Sequence, residues 1–261
     1  MLRRWLAVFV LLTWLLPPPL WAAITEVAGA KASSGDLFQG TAPTLAFGGP
    51  IGISNLLTVC GVVGALATDG QPTVTVTDTR SNSYTVSYGP QGTWTVGPTF
   101  NYKTFIARAI AVDTATPTVT VTPNSFFSGN DTFSFDLDAF AGTALSSPTD
   151  GAATDGETIG TAPAITVTTT IANDVVVAVA GKNNSSGSVT WTDPAGWTVI
   201  GESGAGGNSV AHSCLFKVVS SAGAQTAIWT TNSVGASTWT TQGAAFKADV
   251  SGPKVLLKLK N

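Results

Sequence analysis

One histidine and two cysteines are the scarcest reactive side chains in this 261-residue chain. A nucleophile–base relay or a zinc centre would have to be built around His212, because both need an imidazole held by further polar groups. Serine is so common here that a serine near His212 would carry little meaning, and His212 reads as a surface or strand-edge residue. Cys60 and Cys214 sit in the apolar runs LLTVCGVV and HSCLFKVV. Two cysteines are too few for a disulfide framework or a zinc motif. A free cysteine behaves as a small buried hydrophobe. Two unpaired core thiols are therefore expected, although an exported chain would permit a disulfide.

Carboxylates offer the next chemistry. Asp136 and Asp138 lie on one face of the run FSFDLDAF, and paired acids can cleave glycosidic bonds. With Phe133, Phe135 and Leu137 on the opposite, inward face, both acids are expected to point into solvent. Asp150, Asp155 and Glu157, spaced by Gly151 and Gly156, place oxygen ligands on a Gly-rich stretch, the donor type Ca²⁺ takes. No EF-hand pattern accompanies them, and the plain reading is a connecting loop.

Aromatics carry the binding signal. Trp191, Trp229 and Trp239 recur at strand positions that face the core and read as core filling. Trp94 differs: it sits in the turn-rich segment GPQGTWTVGPTFNYK with Tyr88, Phe100 and Tyr102 nearby. Those four residues form the candidate ligand site, a patch for stacking on a sugar or meeting a protein, unless they pack beneath the loop.

The elements that must position these groups are strands. In PTVTVTD, Val74 and Val76 alternate with Thr73, Thr75 and Thr77, and TVTVTP repeats the pattern with Val119 and Val121. Asp69-Gly70, Gly89-Pro90 and Asn183 to Gly187 supply turns. No window after the first residues has helical spacing. Five blocks recur in order. Ile53 onward matches Ile171 onward, Val74–Asp78 matches Val189–Asp193, Phe105 matches Cys214, Thr118 matches Thr226, and Ala139-Phe140 matches Ala245-Phe246. The expected fold is an all-β, jelly-roll-like sandwich of two pseudo-repeated halves, about 45–144 and 163–249, joined by the stretch Leu145 to Pro163.

The segments NLLTV, VTVTDTRSNSYT, KVVSSAGAQTAIWTT and AAFK resemble β-sandwich modules of exported bacterial proteins and of phage tail or virion proteins. The resemblance runs from about Thr41 to Asp249 and implies a fold rather than a site. A D-S-x-G-N turn of that pattern reads Asp78-Thr79-Arg80-Ser81-Asn82 here, with Ser81 in the glycine place. If that place needs a positive φ, the turn is either strained or built differently.

Compartment and partners follow from the termini and the charge. Met1-Leu2-Arg3-Arg4, the apolar run Trp5 to Leu16, Pro17-Pro18-Pro19 and the small residues Ala22-Ala23 have the three-part plan of a secretory signal peptide over 1–23, with cleavage as late as residue 30. The apolar run is shorter than the roughly 20 residues a membrane span needs. The body of the sandwich is expected over 31–249, with a C-terminal tail over 250–261. Only 10% of residues are charged, against about 25% in an average protein, and the net charge is −3. A Lys-poor acidic surface excludes a nucleic-acid partner, which would need phosphates neutralised. These features together predict a secreted or cell-surface, non-catalytic structural or recognition module, binding a glycan or a surface protein or assembling with its own copies. The alternative is a secreted polysaccharide-active enzyme on a jelly-roll scaffold. No cofactor is expected beyond the Ca²⁺ candidate.

Overall fold

The computed structural model describes residues 23–34, 37–38, 42–94, 99–124, 132–150, 154–184, 188–204, 209–232 and 238–249. Residues 1–22, within the segment expected to be a signal peptide, and the expected tail 250–261 fall outside them. Val and Thr dominate the chain, and β-branched side chains suit a pleated surface. Apart from one 3-10 turn at Ala67–Asp69, every described element is a strand, so the chain is all-β.

Up to residue 141 the strands are β1 (Thr25–Glu26), β2 (Ala32–Ser33), β3 (Leu37–Phe38), β4 (Thr44–Ala46), β5 (Leu56–Leu66) and β6 (Val74–Asp78). They continue with β7 (Thr85–Tyr88), β8 (Gly92–Trp94), β9 (Phe100–Ile110), β10 (Thr118–Pro123) and β11 (Thr132–Ala141). Beyond them come β12 (Thr154–Ile159), β13 (Ala164–Thr169), β14 (Val175–Asn184), β15 (Trp191–Thr192) and β16 (Thr198–Ser203). The last four are β17 (Ser209–Val218), β18 (Gly223–Ile228), β19 (Thr230–Thr231) and β20 (Thr238–Phe246).

Pairing is antiparallel throughout. One large sheet runs β1-β11-β5-β9-β7, with β2 and β3 also on β11 and β8 also on β9. The other runs β12-β20-β14-β17-β16. A smaller sheet, β4-β10-β6, and the ribbons β13-β18 and β15-β19 complete the molecule.

Alternation assigns each strand residue a face. Leu57, Val59, Val76, Phe105, Val121, Phe133, Phe135 and Leu137 form one apolar cluster between the first large sheet and β4-β10-β6. Val167, Val176, Ala178, Leu215, Ala227 and Trp229 form another between the second large sheet and the ribbons. In a third, Leu56, Cys60, Ile106 and Phe140 meet Val175, Val177, Val179, Cys214, Phe216 and Phe246. The two large sheets thus face each other across a common seam, and β5 is buried at every residue but its last.

Two expectations change as a result. Asp136 and Asp138 do not point into solvent: both are fully buried, because the second large sheet covers the face their alternation leaves polar. The stretch from Leu145 to Pro163 is not only a connection. Its residues Thr154–Ile159 form the edge strand β12, with Asp155 opposite Gln242 and Glu157 opposite Thr240 on β20. The turn at Ser81 does need the left-handed region, with φ at 59°. The Asp78 carboxylate holds it, accepting from Arg80 N (2.9 Å), Asn82 N (3.1 Å), Asn82 Nδ2 (2.7 Å) and the Tyr84 hydroxyl (2.9 Å).

Candidate functional site at the seam of the two large sheets

The polar residues of the seam come from alternation on central strands. On β11, Phe133, Phe135 and Leu137 take the outer core, which leaves Ser134, Asp136 and Asp138 on the seam. On β17, Cys214 and Phe216 face the seam, and His212 shares their face. Cys60 reaches it from β5.

His212 is not a surface residue. It is fully buried, and its Nε2 lies 2.7 Å from Oδ2 of Asp136, which is equally buried. Gly201 on β16 makes that approach possible, since a Cβ there would stand 2.3 Å from Asp136 Oδ1. Beside the pair, Cys60 and Cys214 are joined in a disulfide, with Cα atoms 6.2 Å apart and 154 residues between them in sequence. The expectation of two free thiols is therefore corrected. Both cysteines are buried hydrophobes as anticipated, but the sheets that carry them face each other at a separation a disulfide spans.

Neighbouring acids feel the same burial. Asp138 is pushed up to about 7 by burial, against one backbone hydrogen bond from Ala139 N (2.8 Å). Glu202 is raised to about 7 by burial and then by Asp193. A histidine–acid pair with no exposed atom has no route to a substrate. It can anchor one sheet to the other, and it cannot serve as a general base for a polysaccharide.

The other candidates are scattered. Phe100 and Tyr102 are buried, with Tyr102 donating its hydroxyl to Thr238 O across the seam. Gly92 leaves room for the Tyr102 ring, which a Cβ would meet at 2.3 Å. The half-buried Tyr88 hydroxyl accepts from Val74 N (2.9 Å) and donates to Val74 O (2.8 Å), and burial raises it. Two of these rings are therefore interior and the third is half-buried. Trp94 pairs with Phe100 through its backbone, and its side chain lies outside the described residues. Trp229 and Trp239 fill the interior, each with its ring nitrogen bonded, to Ser213 Oγ (3.0 Å) and Gly160 O (2.7 Å).

Of the Ca²⁺ candidates, Asp150 is committed to the protein. It accepts from Thr170 N, Thr170 Oγ1 and Ile171 N (3.3 Å). Burial works to raise it, but hydrogen bonds from Asp174 and Thr170 hold it low, while Asp174 is raised to about 8 by burial and by Asp150. The side chains of Asp155 and Glu157 lie outside the described residues.

The sequence reading missed the joining of Asp136, His212, Cys60 and Cys214. One signal was available: His212 and Cys214, two apart on one strand, share a face. No helix among the described residues is long and apolar enough to cross a membrane. The chain matches no protein-family model, no curated protein and no solved structure.

Proposed function

We propose that the chain is an exported, non-catalytic structural or recognition module at a cell or virion surface, a jelly-roll-like β-sandwich of two related halves. The observation that carries this reading is the use of the scarce reactive side chains. The single histidine and both cysteines are buried at the seam and join one half to the other. A chain that spends them this way gains rigidity rather than turnover.

Several features support two related halves. In the orders β11-β5-β9-β7 and β20-β14-β17-β16 the first three strands of each carry the recurring blocks in the same sequence of places. Ser54 and Asn173, just before β5 and β14, both take positive φ (70° and 65°). Next to them, Ala111 N donates to Asn55 O (2.9 Å) and Val219 N donates to Asp174 O (2.8 Å). Matched by face, Leu56 corresponds to Val175 and Ile106 to Cys214, one residue away from the sequence matching at those blocks. A one-residue slip exchanges the two faces of a strand.

Recognition, in this reading, belongs near β8. An open hollow of 470 Å³ lined by Leu66, Ala67, Thr68 and Thr99 adjoins the strand pair that carries Trp94. The test uses the secreted chain on glycan arrays, on its source surface and in self-association assays, with Trp94→Ala beside the wild type. Loss of about 1 kcal/mol of binding at unchanged thermal stability supports a contact there. Mass analysis should place the mature N-terminus between Ala23 and Lys31. Release of reducing ends from a polysaccharide panel would overturn the non-catalytic reading.

A further inference from the structure

The seam holds more chemistry than its packing requires. One candidate ligand atom each from Asp136, His212 and Cys214 falls within 4.8 Å of the others, and all three residues are fully buried. Cys60 adds a fourth donor through its bond to Cys214. Asp136 Oδ1 and His212 Nδ1 have no hydrogen-bond partner among the described residues. Leaving such atoms unpaired in a buried site carries their full desolvation penalty. In the two-half correspondence, Gln242 stands at the place of Asp136, Thr104 at that of His212 and Ile106 at that of Cys214. The same scaffold therefore closes its seam elsewhere without this set.

We propose that, once the Cys60–Cys214 disulfide is reduced, Cys60, Cys214, His212 and Asp136 form a tetrahedral site for a thiophilic divalent cation, Zn²⁺ being the natural occupant. Two sulfurs, one imidazole and one carboxylate on three strands, β5, β11 and β17, match the borderline-soft, four-coordinate preference of that ion. The disulfide and the metal are alternative cross-links of the same two sheets. The step balances with a phosphine reductant. The S–S bond breaks, the phosphine takes oxygen from water to become its oxide, and the two hydrogens go to the two sulfurs. The cation then displaces both thiol protons to the buffer, because it binds the thiolate form.

Burial of the site means that metal loading accompanies folding, so the reduced full chain is refolded without oxygen in the presence and absence of Co²⁺. The expected result is one Co²⁺ per chain with thiolate-to-cobalt charge-transfer absorption and the visible bands of a tetrahedral site, displaced by one equivalent of Zn²⁺. The oxidised chain should take up none. Asp136→Asn should weaken binding about 10–100-fold, and His212→Ala at least as much. The Cys60→Ser/Cys214→Ser double variant should abolish the charge-transfer band. If the reduced chain folds only when the metal is added, that too supports the site. A reduced chain that shows no charge-transfer band, whether or not it folds, overturns the proposal, as does a band that survives in the double variant. Either failure leaves the structural or recognition reading standing.

Discussion

Two places on the seam of the large sheets are built from different chemistry. At one, Asp136 meets His212 beside the Cys60–Cys214 disulfide. At the other, Gln242 Nε2 donates to Ser87 Oγ (2.7 Å), with Ile106 and Val179 in the adjoining apolar cluster. The second place uses neutral hydrogen bonding and aliphatic contact and leaves Gln242 Oε1 without a partner among the described residues, whereas the first adds an ionisable pair and a covalent bond. A buried polar pair is weak evidence of stability, because taking its groups out of water offsets most of their attraction. The comparison teaches that the first place is specialised.

The largest effect should come from splitting the pair. His212→Ala leaves the Asp136 carboxylate buried with no partner and should cost about 3–5 kcal/mol in denaturant unfolding. Gln242→Ala should cost about 0.5–1.5 kcal/mol for its neutral hydrogen bond, before any cavity is counted. Replacing Asp136 and His212 together by Leu should be close to neutral. Equal costs for His212→Ala and Gln242→Ala would end the distinction between the two places.

Next is the cross-link. Cys60→Ser with Cys214→Ser should lower stability by about 2–5 kcal/mol, since the bond closes a long loop in the unfolded chain. Ile106→Val, in the same apolar cluster, should cost about 0.5–1.5 kcal/mol. Urea midpoints for the two variants give the ratio directly.

A smaller, pH-dependent effect should separate the buried acids from the rest. Asp138 and Glu202 are raised to about 7 and Asp174 to about 8, all chiefly by burial. Their folded values exceed the unfolded ones, near about 4. Their contribution is therefore complete below that pH and is lost as pH rises through 7 and 8. Lys182, lowered to about 8 by burial, acts in the opposite sense, and its contribution is complete above about 10.4 and is lost as pH falls through 8. Melting temperature should fall between pH 5 and 8, and Asp174→Asn should flatten the upper part of that slope.

The smallest effect lies away from the seam. A left-handed residue other than glycine costs about 1–2 kcal/mol. Glycine returns about 0.4–1 kcal/mol of that through the freedom of the unfolded chain. Ser81→Gly should therefore stabilise by between about 0 and 1.6 kcal/mol, and a melting temperature that drops would show that the Asp78 hydrogen bonds already relieve the strain.

What the amino-acid sequence determined by itself was local. Alternation of Val with Thr announced strands such as β6 and β10, turn residues marked their ends, and the tryptophans Trp229 and Trp239 could be assigned to the interior. At Ser81 the sequence posed the question of a positive φ, and the structure answered it with 59°. Tertiary structure alone decided what covers each strand's second face. A period of two separates two faces, but it is the same whether the polar face meets water or another sheet. Asp136 reads as solvated for that reason, and it is buried because His212, 76 residues away, approaches from the opposite sheet. Cys60 and Cys214 pair across 154 residues for the same reason. The sheets that bring such groups together are held by the summed burial of the apolar seam, and no short stretch of sequence contains that sum.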